Sequence, residues 1–155
     1  MSDVNPLIED HIEIAASPER VWSIVSDPRV MGGLSPQVVR TLISGQDPIG
    51  LGTRTVNINR RGLLVWPTRG KVIRFEPLRQ YAYRIKDNKA IWAFVLEPTA
   101  TGTRLSHRRE AAEGLSDVSI RLQDKVLGGT APFEAELLAG IGTTLRRVKE
   151  LAEQS

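Results

Sequence analysis

The chain has 155 residues, 41% hydrophobic and 25% charged, the size and composition of one globular domain that buries its own core. It contains no cysteine, which excludes disulfide frameworks, thiolate catalysis, zinc ribbons and iron–sulfur ligation. The net charge of +3 raises the question of anionic partners, but the arginines are scattered and no basic run is interleaved with aromatics, so solvated faces and no nucleic-acid site are expected.

The opening "MSDVNPLIED" lacks the basic and apolar regions of a targeting signal, and no stretch approaches the ~18 apolar residues of a membrane span. Stable membrane insertion is not expected, and a cytoplasmic location is the default expectation. No linker, repeat or low-complexity segment divides residues 1–155, which read as a single domain.

Residues 7–15, "LIEDHIEIA", alternate with Ile8, Asp10, Ile12 and Ile14 on one face and Leu7, Glu9, His11 and Glu13 on the other. This period of two predicts a first strand, with His11 on its solvent side. Ser17 then offers a cap and Pro18 a first helical residue, predicting a helix that ends by Asp27. Asp27 and Pro28 repeat the signal, and a second short helix is expected until Gly32 and Gly33 stop it.

Six strand-like runs follow, at 38–44, 52–60, 63–75, 80–86, 90–97 and 103–110, separated by the short, turn-rich segments of antiparallel hairpins. Pro67 and Gly70 in the 63–75 run predict an edge strand or a bulge. Residues 115–127 place Leu115, Val118, Leu122 and Val126 on one helical face before Gly128 and Gly129, a short amphipathic helix or ordered loop. After Pro132, Phe133, Leu137, Ile141, Leu145, Val148 and Ala152 recur at helical spacing, which predicts a long C-terminal helix with an apolar face. Gly140 and Gly142 within it suggest a close neighbouring backbone, a bend or a cavity.

The order strand, two short helices, six strands and a long helix leaves one economical packing: a curved antiparallel sheet gripped by the last helix. With this order on the page, the sequence resembles the START-like, or SRPBCC, superfamily, the helix-grip proteins that include the birch-pollen allergens, in its polyketide cyclase/dehydrase-type branch. The residues that carry the resemblance are "IEIAASPERVWSIVSDP" at 12–28, "LSP" at 34–36, "GLGTR" at 50–54, "RFEPLRQYAYRI" at 74–85, "WAFVLEPTATGTRLSHRRE" at 92–110 and "GTTLRRVKELAE" at 142–153. Many relatives have tryptophan where Leu34 stands, which implies a differently shaped cavity end here.

The resemblance implies an α+β helix-grip fold with a sheet of about seven strands and an elongated cavity for an apolar small molecule between sheet and last helix. Its expected walls are Trp66, Tyr83, Trp92, Phe94, Leu96, Leu105, Phe133, Leu137 and Ile141. Residues 115–129 would form a mobile gate. By strand alternation His107 and Arg109 share a face with Leu105, so they enter the cavity if Leu105 does. They are the catalytic candidates: His107 as general base, Arg109 as the group that holds a carboxylate or developing enolate.

Two histidines without ligand spacing carry no metal-site signature, and no metal or other cofactor is expected. The carboxylate pairs Glu110/Glu113, Glu134/Glu136 and Asp10/Glu13 have spacings no different from ordinary surface charge, the second pair fitting a helix's first turn. No G-x-S-x-G, P-loop or G-x-G-x-x-G occurs. Three functions stay open: a binder or carrier of an apolar lipid-like or polyketide-like molecule, a cyclase or dehydratase acting on a polyketide-like substrate, and a partner-binding module without a small ligand.

Overall fold

A computed structural model describes residues 7–30, 34–36, 38–44, 48–87, 89–110 and 130–154. The first strand, β1, spans Leu7–Ile14 and leads into helix α1, Pro18–Val25. Ser17 caps α1 by accepting a hydrogen bond from the Arg20 amide, and Val21, Ile24 and Val25 are its buried face. The second helical segment begins as a 3-10 turn, Pro28–Val30, and its expected end at Gly32 and Gly33 lies outside the described residues. Six strands follow: β2 Val38–Ser44, β3 Arg54–Arg61, β4 Leu64–Glu76, β5 Gln80–Ile85, β6 Ile91–Thr99 and β7 Gly102–Glu110. The last element, α2, is a 24-residue helix over Thr130–Glu153.

All seven strands form one antiparallel sheet in the order β1-β7-β6-β5-β4-β3-β2. The concave face carries α2, which approaches the backbones of β1, β7 and α1 most closely. The α+β helix grip expected from the sequence is therefore the observed fold. Its core joins Ile14, Val21, Tyr81, Phe94, Leu105 and, from the helix, Ile141, Leu145 and Val148, each at most 2% exposed. Leu34 also lies in this core, and its carbonyl accepts a hydrogen bond from Arg147 Nη1 at 3.2 Å.

The placement of Pro67 differs from the expectation of an edge strand. β4 is interior, but its pairing with β5 begins only at Gly70, whereas its pairing with β3 runs from Leu64. The first half of β4 overhangs β5, so Pro67 needs no partner for a missing amide on that side. The irregularity in β4 falls between Val72 and Arg74, beyond both Pro67 and Gly70.

The glycines of α2 are not explained by a close backbone. A Cβ on Gly140 would meet Pro36 Cγ at 3.6 Å, and one on Gly142 would meet Arg146 Nη1 at 3.4 Å. The expected helix or loop at 115–127, and the gate over 115–129, lie outside the described residues.

Candidate ligand-binding site

The concave face changes character across the sheet. Over β5, β6 and β7 it is a row of rings set by register: Tyr81 opposes Phe94, Tyr83 opposes Trp92, Phe94 opposes His107 and Trp92 opposes Arg109. The His107 ring stacks on Phe94 at 4.0 Å between centroids with an interplanar angle of 7°, and lies 5.5 Å from the Trp92 ring. A further chain of edge and tilted contacts joins Trp22, Phe75, Tyr81 and Tyr83. Tyr83 and Trp92 are only half-buried, so part of each ring remains exposed on this face.

His107 is 2% exposed and its Nδ1 lies 3.1 Å from the Ala93 carbonyl. A carbonyl only accepts, so Nδ1 carries the proton and Nε2 the lone pair. Burial pushes the imidazole down to about 4, against the opposing effect of the hydrogen bond to Ala93. The ring is neutral at pH 7.

Arg109, 3% exposed, has its guanidinium pushed down by burial and drawn back up by the carboxylate of Glu134 on α2. A second helix carboxylate, Glu136, pairs with Arg61 of β3 at 3.1 Å. Glu134 and Glu136 thus tie the first turns of α2 to the sheet, a role their sequence spacing did not reveal.

On β2 and β3 the same face is polar. Thr41, Thr55, Asn57 and Asn59 are all buried. Thr41 Oγ1 donates to Asn57 Oδ1 at 2.8 Å. Asn59 Nδ2 donates to Thr68 Oγ1 at 3.0 Å and to the Trp66 carbonyl at 3.2 Å. Their apolar neighbours Val56 and Ile58 alternate onto the outer face, the reverse of ordinary strand patterning.

Comparison with known proteins accords with this architecture. Residues 6–153 match the family model described as polyketide cyclase / dehydrase and lipid transport. The chain belongs to this family. Its fold is similar to the di-domain ARO/CYC protein StfQ of the steffimycin biosynthetic pathway, with a TM-score of 0.74 at 18% identity over 96% of this chain and 50% of that one. The chain thus spans half of StfQ. It is also similar to the Polyketide_cyc-like protein Cgl2372 of Corynebacterium glutamicum, with a TM-score of 0.69 at 24% identity over 98% and 94% of the two chains. KanY gives a TM-score of 0.71 at 15% identity over 99% and 100%. No curated protein sequence matches.

Within this family fold seven of the nine residues expected as cavity walls divide into two groups. Phe94, Leu96, Leu105 and Ile141 are buried in the core, and their packing partners leave them little surface to offer. Tyr83, Trp92 and Leu137 pack against that core while half-buried. Trp66 is half-buried on the overhanging part of β4, apart from the core cluster. Phe133 lies in the first turn of α2, its side chain outside the described residues.

His107, Arg109 and Leu105 share one buried face, as strand alternation predicts. His11 is exposed on the outer face. Among the described residues no cluster of three or more potential metal ligands occurs. Sequence reasoning missed Thr41, Asn57 and Asn59. The signal available was the alternation in "TVNIN", whose polar half is the one turned inward.

Proposed function

We propose that the concave face binds a small molecule with an apolar, ring-containing body and hydrogen-bonding groups at one end, and that the protein serves to bind or carry it. The observation that carries this reading is the polar inner face of β3, with Thr55, Asn57 and Asn59 buried while Val56 and Ile58 face out. A sheet face whose only task is to close a core is apolar, because buried polar groups cost stability unless paired. Opposite this polar end, the half-exposed rings of Tyr83 and Trp92 offer stacking surface, and Arg109 offers a charged contact for a carbonyl or carboxylate.

The alternative of a cyclase or dehydratase draws support from the same buried Arg109, which could hold an enolate. Against His107 as its base stand a conjugate-acid pKa of about 4, a ring stacked flat on Phe94 and an Nδ1 committed to Ala93. A base that weak transfers protons poorly near pH 7.

Native mass spectrometry of the gently purified protein tests the reading: a bound mass released on unfolding is expected. With that ligand in hand, Trp92→Ala should weaken binding by about tenfold or more, while His107→Phe leaves it within about twofold. An empty protein that also ignores lipids and aromatic ketones would sink the reading in favour of a partner-binding module. Loss of turnover of that ligand in His107→Phe at unchanged affinity would instead establish the enzyme.

A further inference from the structure

The outer face of the sheet is electrostatically divided. On β1 and β7 each arginine directly opposes an acid: Glu13 faces Arg104, paired at 2.6 Å, and Glu9 faces Arg108, paired at 3.3 Å. Arg74 of β4 and Glu110 of β7 close a two-bond pair at 2.9 and 3.1 Å. Charge on this half is compensated side chain by side chain.

On β2 to β5 it is not. Arg40, Arg54, Arg60, Arg69, Lys71 and Arg84 alternate onto the outer face, and all six are exposed. Among the described residues none of the six makes an ion pair. Arg54, Lys71 and Arg84 stand directly opposite one another across three neighbouring strands. Like charges in that register repel and lower stability. Among the described residues the carboxylates nearby are Asp87 at the rim, which accepts from the Arg69 amide at 3.0 Å, and Glu76 at the far end of β4.

Apolar side chains are interleaved with these cations: Leu42 at 43% and Val65 at 57% exposure. The β3–β4 hairpin extends the pattern. Gly62, with φ of 61°, opens a two-residue turn, and Leu63 at its apex is 98% exposed beside Leu64 at 50%. Arg60 immediately precedes this tip and donates from Nε to the Gly62 carbonyl.

We propose that this face docks on an anionic lipid bilayer surface, with Leu63 and Leu64 entering the interface and the six cations meeting the headgroups. An uncompensated cation row calls for an anionic partner, and an apolar apex beside it calls for one with a hydrocarbon layer beneath its charges. Nucleic acid supplies the first and not the second. The docking is peripheral, and no described helix is long and apolar enough to cross a membrane. It stands apart from the ligand reading, because the six cations, Leu42 and Val65 lie on the outer face and Leu63 at the hairpin's apex, and only Leu64, at the tip, alternates toward the concave side.

Cosedimentation of the full chain with phosphatidylglycerol or phosphatidylcholine vesicles tests the proposal. Binding is expected to phosphatidylglycerol, lost in about 1 M salt where the Debye length is about 3 Å, and absent on phosphatidylcholine. Each cation near such a surface contributes about fivefold, so Lys71→Glu should weaken binding by about five- to twentyfold. The same change relieves the repulsion with Arg54 and Arg84, so the thermal midpoint should hold or rise. Leu63→Asp should cut binding by about tenfold or more, while Leu51→Asp, also exposed, at 73%, just before the opposite end of β3, should not.

Equal binding to both lipids, no vesicle binding, or insensitivity to Lys71→Glu would overturn the proposal. So would loss of binding in Leu51→Asp and not in Leu63→Asp. Capture of a duplex DNA oligonucleotide without vesicle binding would replace it with a nucleic-acid surface.

Discussion

The two halves of this sheet share one backbone pattern and opposite polarity. Across β5, β6, β7 and β1 apolar residues and rings face the helix, while the outer face carries paired charges on β1 and β7 and the buried Ala82, Ile91 and Ala93 on β5 and β6. Across β2, β3 and the first half of β4, threonines and asparagines face inward, while valine, isoleucine and unpaired arginines face out. The first half obeys the rule that stabilises an antiparallel sheet. The second departs from it on both faces, and local departures of this kind mark places where sequence serves something besides folding. The first half is accordingly a core, and the second a pair of surfaces.

The sharpest way to break this comparison is to truncate one ring in each half. Phe94, fully buried and stacked on His107, should cost about 3–5 kcal/mol when changed to alanine. Trp66, half-buried on the overhang of β4, should cost no more than about half the ~1.5–3 kcal/mol that full burial contributes. Urea unfolding of both variants measures this. Equal losses would show that the second half is packed as core.

A second, smaller effect is carried by pH. His107 has a pKa of about 4 in the folded protein against 6.5 for the free group. Between those values the unfolded chain binds the proton that the folded one refuses, so stability falls as pH drops from about 6.5 toward 4. Above that window the contribution is complete, and the loss across it is on the order of 3 kcal/mol. His107→Phe should flatten this part of the stability profile in urea titrations at pH 7 and pH 4.5. An unchanged slope would mean that the imidazole is accessible to protons, and would reopen its claim to acid–base chemistry.

The positions of the strands were legible because alternation and turn residues are local signals. "LIEDHIEI" and "VVRTLIS" are observed over the expected residues, with the first one residue shorter. Which face is inside is a tertiary property, and alternation in "RTVNINRR" is equally clear under either choice. Hydrophobicity favours the wrong one, which is why Asn57 and Asn59 went unread. The stack of His107 on Phe94 depends on the β6–β7 register, and the approach of Glu134 to Arg109 on where α2 crosses; neither is encoded within a short window. Pro67 shows the same limit, since its tolerance depends on where β5 stops.

The smallest expected effects come from two glycines that the sequence presents alike and the packing separates. A Cβ on Gly70, on the concave face of β4, would lie 2.7 Å from Thr55 Oγ1, a buried side chain of the polar half. Gly70→Ala should therefore cost about 1–3 kcal/mol. Thr55→Ala in the same chain should recover most of it, a coupling readable from a double-mutant cycle. A Cβ on Gly140 meets only Pro36 at 3.6 Å, an ordinary contact, and alanine is favoured over glycine in a helix by up to about 1 kcal/mol. Gly140→Ala should thus raise stability slightly. If Gly70→Ala proved harmless, β3 and β4 would be less tightly apposed at Thr55, and the inward polar face would lose the rigidity that lets it hold a ligand's polar end in a fixed position.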